Sequence, residues 1–171
     1  MMKRRFFLTS LMMVFFAMTS MAQSLELYIS DNTGTPTNVR NAPKGKVVAT
    51  LPVGSTIILS VESPTNGWWK ITRGQYEDAE RGDKKLKGST TGYWVHSSVL
   101  GIGTRNYGGQ RLNLHQSPSS KSAITYSFKE ELELNPIDIK GTWVKVRTKD
   151  GKHTGWIELE WLCGNPLTSC C

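Results

Sequence analysis

The chain has 171 residues, 38% of them hydrophobic, and carries a formal net charge of +7 at pH 7. This length allows one domain or two small ones. Residues 1–22 hold three basic residues and no acidic ones, so the remainder carries only +4. That charge is too small and too dispersed to indicate binding to nucleic acid.

The first 22 residues have the pattern of a secretory signal peptide. A basic stretch at 3–5 precedes an apolar run at 6–18, and Ser20-Met21-Ala22 places small residues before a cleavage point. The apolar run is shorter than the roughly 20 residues of a permanent membrane span. We expect cleavage after Ala22, no stable membrane insertion afterwards, and a secreted or periplasmic protein. A signal anchor is the alternative.

The rest of the chain contains an internal repeat. Its matching segments keep the same order and similar spacing, which indicates two copies of one structural unit. The glycine-rich stretch 101–110 lies between the copies and is predicted to be a linker. The matching pairs are "NVRNAP" (38–43) with "NLHQSP" (113–118), "GWWKI" (67–71) with "TWVKV" (142–146), and "WVHSSVL" (94–100) with "WIELEWL" (156–162).

Both copies have the composition of short antiparallel strands. Strict alternation places Trp69 and Ile71 on one face of a strand and Trp68 and Lys70 on the other. Turn pairs such as Asn66-Gly67 supply the positive φ angles that tight hairpins need. No stretch after residue 22 has a helical pattern, so an all-β fold is predicted.

The first copy resembles the bacterial SH3-like (SH3b) domain family. The resemblance rests on the following motifs in order: Asn38-Val39-Arg40 with Pro43, Leu51 with Gly54, Gly67-Trp68-Trp69-Lys70-Ile71, and Trp94-Val95. The second copy departs from the family pattern, with His115 in place of Arg40, Glu130 or Glu131 in place of the turn glycine, and Thr142 in place of Gly67. The resemblance implies small β-barrels that are usually not enzymes, that commonly accompany cell-wall hydrolases and tether them to peptidoglycan, and that in other cases bind peptides or metals.

We therefore predict an all-β protein with two tandem small SH3-like β-barrels. The expected division is a signal peptide (1–22), a first barrel (23–100) with a long inserted hairpin loop (73–92), a linker (101–110), a second barrel (111–163) and a cysteine-containing tail (164–171).

The tryptophans are the main candidates for ligand binding. If Val144 faces the core, Trp143 and Lys145 lie outside it, as Trp68 and Lys70 do in the first copy. An exposed indole beside a lysine can bind a peptide or a sugar. The alternative is an indole buried under a loop or against the other barrel.

Further candidates lie around these tryptophans. Arg40 and His115 occupy the same place in the two copies and should point outward, where Arg40 could bind a carboxylate or cap carbonyl groups. Tyr76 is the aromatic anchor of the insertion, which we expect to form a flap beside Trp68 or Trp94.

The sequence offers no convincing catalytic, metal or cofactor site. His96-Ser97-Ser98 lacks an evident third group to orient the histidine, and its counterpart in the second copy is Glu158-Leu159-Glu160. Cys163, Cys170 and Cys171 allow one disulfide from Cys163 to either of the others. Metal binding by the three cysteines is the alternative, but no histidine stands at ligand spacing beside them.

These features favour an exported, non-catalytic binding protein that recognises a peptidoglycan peptide or an envelope protein. One alternative is a cell-wall hydrolase or amidase with an unrecognised site. The other is a structural protein whose tryptophans are buried between the two barrels.

Overall fold

The structure is a computed structural model that describes residues 24–168. Within this range the chain forms β-strands, turns and three single-turn 3₁₀ helices, and no α-helix. The all-β prediction is confirmed. No helix formed by the described residues is long and apolar enough to cross a membrane. The predicted signal peptide lies outside the described residues.

Residues 24–168 contain fifteen strands. The first nine are β1 (Leu25–Ile29), β2 (Thr37–Arg40), β3 (Val47–Leu51), β4 (Ile57–Thr65), β5 (Trp68–Ile71), β6 (Gln75–Asp78), β7 (Gly82–Lys85), β8 (Trp94–His96) and β9 (Leu100–Thr104). The other six are β10 (Leu112–His115), β11 (Ile124–Phe128), β12 (Glu133–Lys140), β13 (Trp143–Thr148), β14 (Thr154–Glu158) and β15 (Leu162–Cys163). The 3₁₀ helices are Thr72–Gly74, Ser97–Val99 and Leu159–Trp161.

The strands form an open antiparallel sheet. Its order is β11-β10-β14-β13-β12-β9-β1-β4-β5-β8-β2-β3, and β15 pairs with β9 while β6 pairs with β4 and β7. The neighbouring order β3-β2-β8-β5-β4 in the first half recurs as β11-β10-β14-β13-β12 in the second. Arg40 lies opposite Trp94 in the first set, and His115 lies opposite Trp156 in the second. The internal sequence repeat is therefore accompanied by a repeat of strand pairing.

The predicted linker is corrected over its first residues. Instead of an irregular connection, Leu100–Thr104 forms β9, which pairs with β1 of the first half and with β12 and β15 of the second. Ile102 of this strand is fully buried. Long-range pairing overrides the weak strand propensity of a segment with glycines at 101 and 103.

The core follows the predicted alternation. Trp69, Ile71, Val144 and Val146 are buried, whereas their neighbours on the same strands are partly exposed. The Trp69 indole N–H donates a hydrogen bond of 3.0 Å to the backbone oxygen of Pro136 in the second half. This tryptophan is therefore buried at the contact between the two halves.

The insertion forms a hairpin that continues the sheet. Strands β6 and β7 pair with each other, and β6 also pairs with β4. Asp78, at the end of β6, accepts hydrogen bonds from the Ser55 hydroxyl at 2.5 Å and from Arg81 Nη1 at 3.0 Å. These hydrogen bonds lower the pKa of Asp78 to about 2, and the bond from Ser55 contributes most.

The start of the predicted tail packs on β1. A Cβ atom at Gly164 would lie 1.6 Å from the backbone oxygen of Glu26, so only glycine allows this approach. Asn165 is buried and its amide donates to the Glu26 carboxylate at 3.4 Å. Cys163 is disulfide-bonded. Cys170 and Cys171 lie outside the described residues, so the choice between them stays a prediction.

Candidate binding grooves

The first cavity, groove 1, is built around Trp68. This side chain points away from the core because its neighbour Trp69 is fully buried on the opposite face of β5. The ring of His96 on β8 contacts Trp68 edge-on, with 4.9 Å between ring centroids. The guanidinium carbon of Arg40, on β2, lies 5.9 Å from the Trp68 ring centroid. Groove 1 has a volume of about 230 Å³.

Hydrogen bonds fix the polar wall of groove 1. Arg40 Nη1 donates to the Gly45 backbone oxygen at 2.7 Å, so the arginine does cap a carbonyl. Thr37 Oγ1 donates to Asp31 at 2.8 Å. Burial alone would raise the pKa of Asp31, but hydrogen bonds from Thr37 and Thr33 outweigh it and lower that pKa. Groove 1 therefore holds one fixed cation and one fixed carboxylate.

His96 serves as the cap of the 3₁₀ turn Ser97–Val99. Its Nδ1 accepts from the Ser98 backbone N–H at 3.2 Å and lies 2.9 Å from Ser98 Oγ. Burial lowers the pKa of His96, and the positive charge of Arg147 lowers it further. Among the described residues no carboxylate forms a hydrogen bond with this ring. The His–Ser contact is thus explained by turn capping and does not form a triad.

Groove 2 stands at the same place in the second half. The His115 ring contacts Trp143 edge-on, with 5.4 Å between ring centroids. Glu158 lies opposite Trp143 in the strand pairing, as His96 lies opposite Trp68. The cavity has a volume of about 130 Å³.

The electrostatics of groove 2 differ from those of groove 1. His115 replaces the arginine, and its Nδ1 lies 3.1 Å from the Ser122 backbone oxygen, to which it donates. A hydrogen bond with the Glu160 carboxyl, together with burial, raises the pKa of Glu158. The Glu158 carboxyl therefore occupies the place that the His96 imidazole takes in groove 1.

The structure brings only some of the predicted residues together. Arg40 lines groove 1 with Trp68, and His115 lines groove 2 with Trp143. Lys70 does not line groove 1 but forms an ion pair of 3.3 Å with Glu62.

The remaining predicted residues lie outside both grooves. Trp94 lies opposite Lys70, and Lys145 lies opposite the buried Trp156. Tyr76 lines a separate cavity of about 390 Å³ beside the inserted hairpin, so it does not cover groove 1. At Gly92, the last residue of the insertion, a Cβ would lie 3.5 Å from the Trp94 indole nitrogen.

Sequence reasoning missed His96 and Glu158 as groove residues. Both precede a 3₁₀ turn and both lie opposite the outward tryptophan of the neighbouring strand. The internal repeat could have identified these two residues, because matching positions of the two copies occupy equivalent positions in the strand pairing. Within residues 24–168, no group of three or more His, Cys, Asp or Glu side chains could hold a metal ion.

The chain is similar to known proteins over part or most of its length. Residues 110–162 match the family model described as Bacterial SH3 domain. The structures titled "Structure of NlpC2 from Trichomonas vaginalis" and "Structure of NlpC1 from Trichomonas vaginalis" share 13% and 12% identity with it, each at a TM-score of 0.31. These matches cover 83% and 84% of this chain and 48% and 47% of theirs, so the chain spans about half their length. None of the curated proteins matches the sequence.

Proposed function

We propose that the chain is an exported, non-catalytic binding protein made of two tandem SH3-like barrels. Its partner is cell-envelope material, either a peptidoglycan peptide or an envelope protein. One observation carries the proposal: the same position of the repeat places a partly exposed indole against a nitrogen-bearing side chain at a cavity, once in each half. The match of residues 110–162 to the bacterial SH3 domain supports it.

The chemistry of groove 1 suits a carboxylate-bearing peptide. The Arg40 guanidinium lies within the roughly 6 Å at which a cation attracts an indole face. One of its five N–H donors goes to the Gly45 oxygen, and the others can form a paired hydrogen bond with a carboxylate. The Trp68 ring then gives the adjoining apolar part of the ligand a flat surface.

Groove 2 suits a different part of such a ligand. Glu158 lines this groove and provides carboxyl oxygens that accept hydrogen bonds from amide or ammonium groups. Peptides of the cell wall carry carboxylate and amine groups together, so two unlike grooves on one chain fit one class of ligand.

Sedimentation with purified, insoluble peptidoglycan tests the proposal. The chain from residue 23 onward should sediment with the wall, and Trp68→Ala and Trp143→Ala should each reduce the bound fraction several-fold, because both remove a groove wall. Val53→Ala serves as the control, since Val53 is exposed and lines neither groove. Circular dichroism checks that each variant is folded.

Two outcomes would overturn the proposal. The first is a protein that stays in solution at every salt concentration. The second is a pair of folded tryptophan variants that bind as the parent chain does. Release of new amine or reducing groups from the wall would instead support the hydrolase alternative.

A further inference from the structure

A third concave surface, the junction trough, crosses the contact between the two halves of the chain. It consists of two cavities of about 250 and 290 Å³ that share Leu132 and Glu133 as a common wall. Small-molecule pockets usually measure about 300–1,000 Å³. Each cavity alone is below that range and the two together are within it, so an occupant of the whole trough is elongated.

Aromatic side chains lie at both ends of the junction trough. Tyr107 lines the first cavity with half of its surface exposed. Tyr126 and His153 line the second cavity and stack face to face, with 3.8 Å between centroids and 8° between ring planes. The junction trough thus has aromatic side chains at each end, although His153 covers one face of the Tyr126 ring.

The middle of the trough is polar but nearly neutral. Glu133 and Lys149 form an ion pair of 2.6 Å, and Asp150 and Lys152 form one of 3.4 Å. Glu131 adds a third carboxylate. Because most of these charges already pair with each other, the trough offers hydrogen-bonding groups without a strong field for an anion or a cation.

The floor of the trough does not suit an extended peptide. Peptides that bind in extended form usually pair with a free strand edge. Strand β9 already pairs with β1, β12 and β15, and β12 pairs with β9 and β13. A ligand along this floor therefore binds through side chains rather than by adding a strand.

We propose that the junction trough binds a neutral oligosaccharide. A sugar ring has an apolar C–H face, which fits against Tyr107 at one end and the Tyr126–His153 pair at the other. Its hydroxyl groups can donate to the Glu131 and Asp150 carboxylates and accept from Lys152 Nζ, which uses one of its three N–H groups on Asp150. This inference goes beyond the proposed function, since neither groove contributes a residue to the trough.

The test is a titration of the full chain with tetra-N-acetylchitotetraose, in which calorimetry and NMR measure the binding. Tyr107→Ala and His153→Ala remove an aromatic surface at opposite ends, and each should weaken binding about tenfold. The backbone oxygen of His153, which accepts from the Thr148 N–H, is kept in its variant. Val53→Ala, at an exposed residue that lines neither cavity of the trough, should bind the tetrasaccharide as the parent chain does.

Absence of binding by the folded parent chain at millimolar sugar would overturn the inference. Unchanged affinity in Tyr107→Ala, with folding checked by circular dichroism, would do the same. Displacement of the sugar by the peptide Ala-Glu-Lys-Ala-Ala would show a peptide site instead. If the tetrasaccharide binds while peptidoglycan sedimentation fails, the proposed envelope function falls and the sugar site stands.

Discussion

Trp69 joins the two halves of the chain, and Trp69→Phe tests how strongly. The side chain is fully buried and its indole N–H donates to the Pro136 oxygen at 3.0 Å. Phenylalanine fills most of the same space but cannot donate, so the Pro136 oxygen loses its partner at a cost of about 1–3 kcal/mol. The void left by the smaller ring adds about 1 kcal/mol. We expect the free energy of unfolding to fall by about 2–4 kcal/mol, out of a usual total of about 5–15 kcal/mol.

Guanidinium chloride unfolding, followed by circular dichroism and by tryptophan fluorescence, measures this loss. Trp143→Phe is the matched control, because Trp143 is partly exposed and should change the free energy of unfolding by less than about 1 kcal/mol. Since β9 pairs with both halves, the two signals should change together in a single transition. The reasoning would be refuted if the free energy of unfolding fell equally in the two variants, or if the parent chain unfolded in two separate transitions.

Three further substitutions test other parts of the structure. The folded-state pKa of Asp78, about 2, is below the usual unfolded value of about 3.9, so its stabilisation is present above about pH 4 and is lost as pH falls through about 2. Asp78→Asn should therefore lower the free energy of unfolding at pH 7, measured by urea unfolding. Between pH 4 and pH 2 that free energy should fall less than it does in the parent chain, and an unaltered pH dependence would contradict this. Gly164→Ala forces a Cβ to 1.6 Å from a backbone oxygen of β1 and should destabilise by at least about 2 kcal/mol, whereas Gly103→Ala, with its nearest contact at 3.6 Å, should be nearly neutral. Equal melting temperatures of these two variants would argue against the close approach. Glu160→Gln removes the carboxyl that raises the pKa of Glu158, so an NMR titration should show that pKa falling toward its usual value, and no change would disprove the pairing.

Several features were readable from the sequence because they depend on neighbours along the chain. Alternation placed Trp69 and Ile71 in the core, and the structure confirms both. Asn66 and Gly67 have positive φ angles, as the turn pair predicted. The repeat indicated which positions correspond, and Trp68 and Trp143 do stand at equivalent places in the strand pairing.

The sequence alone determined that this chain is all-β, which side chains face inward and which positions of the two copies match. Only the tertiary structure decided which strands are neighbours. It placed 100–104 in the middle of the sheet rather than in a linker, moved Tyr76 away from Trp68, and brought Tyr107 and His153 to one trough. The physical reason is that alternation fixes the face on which a side chain lies, while the partner of a strand depends on long-range packing that no local pattern encodes.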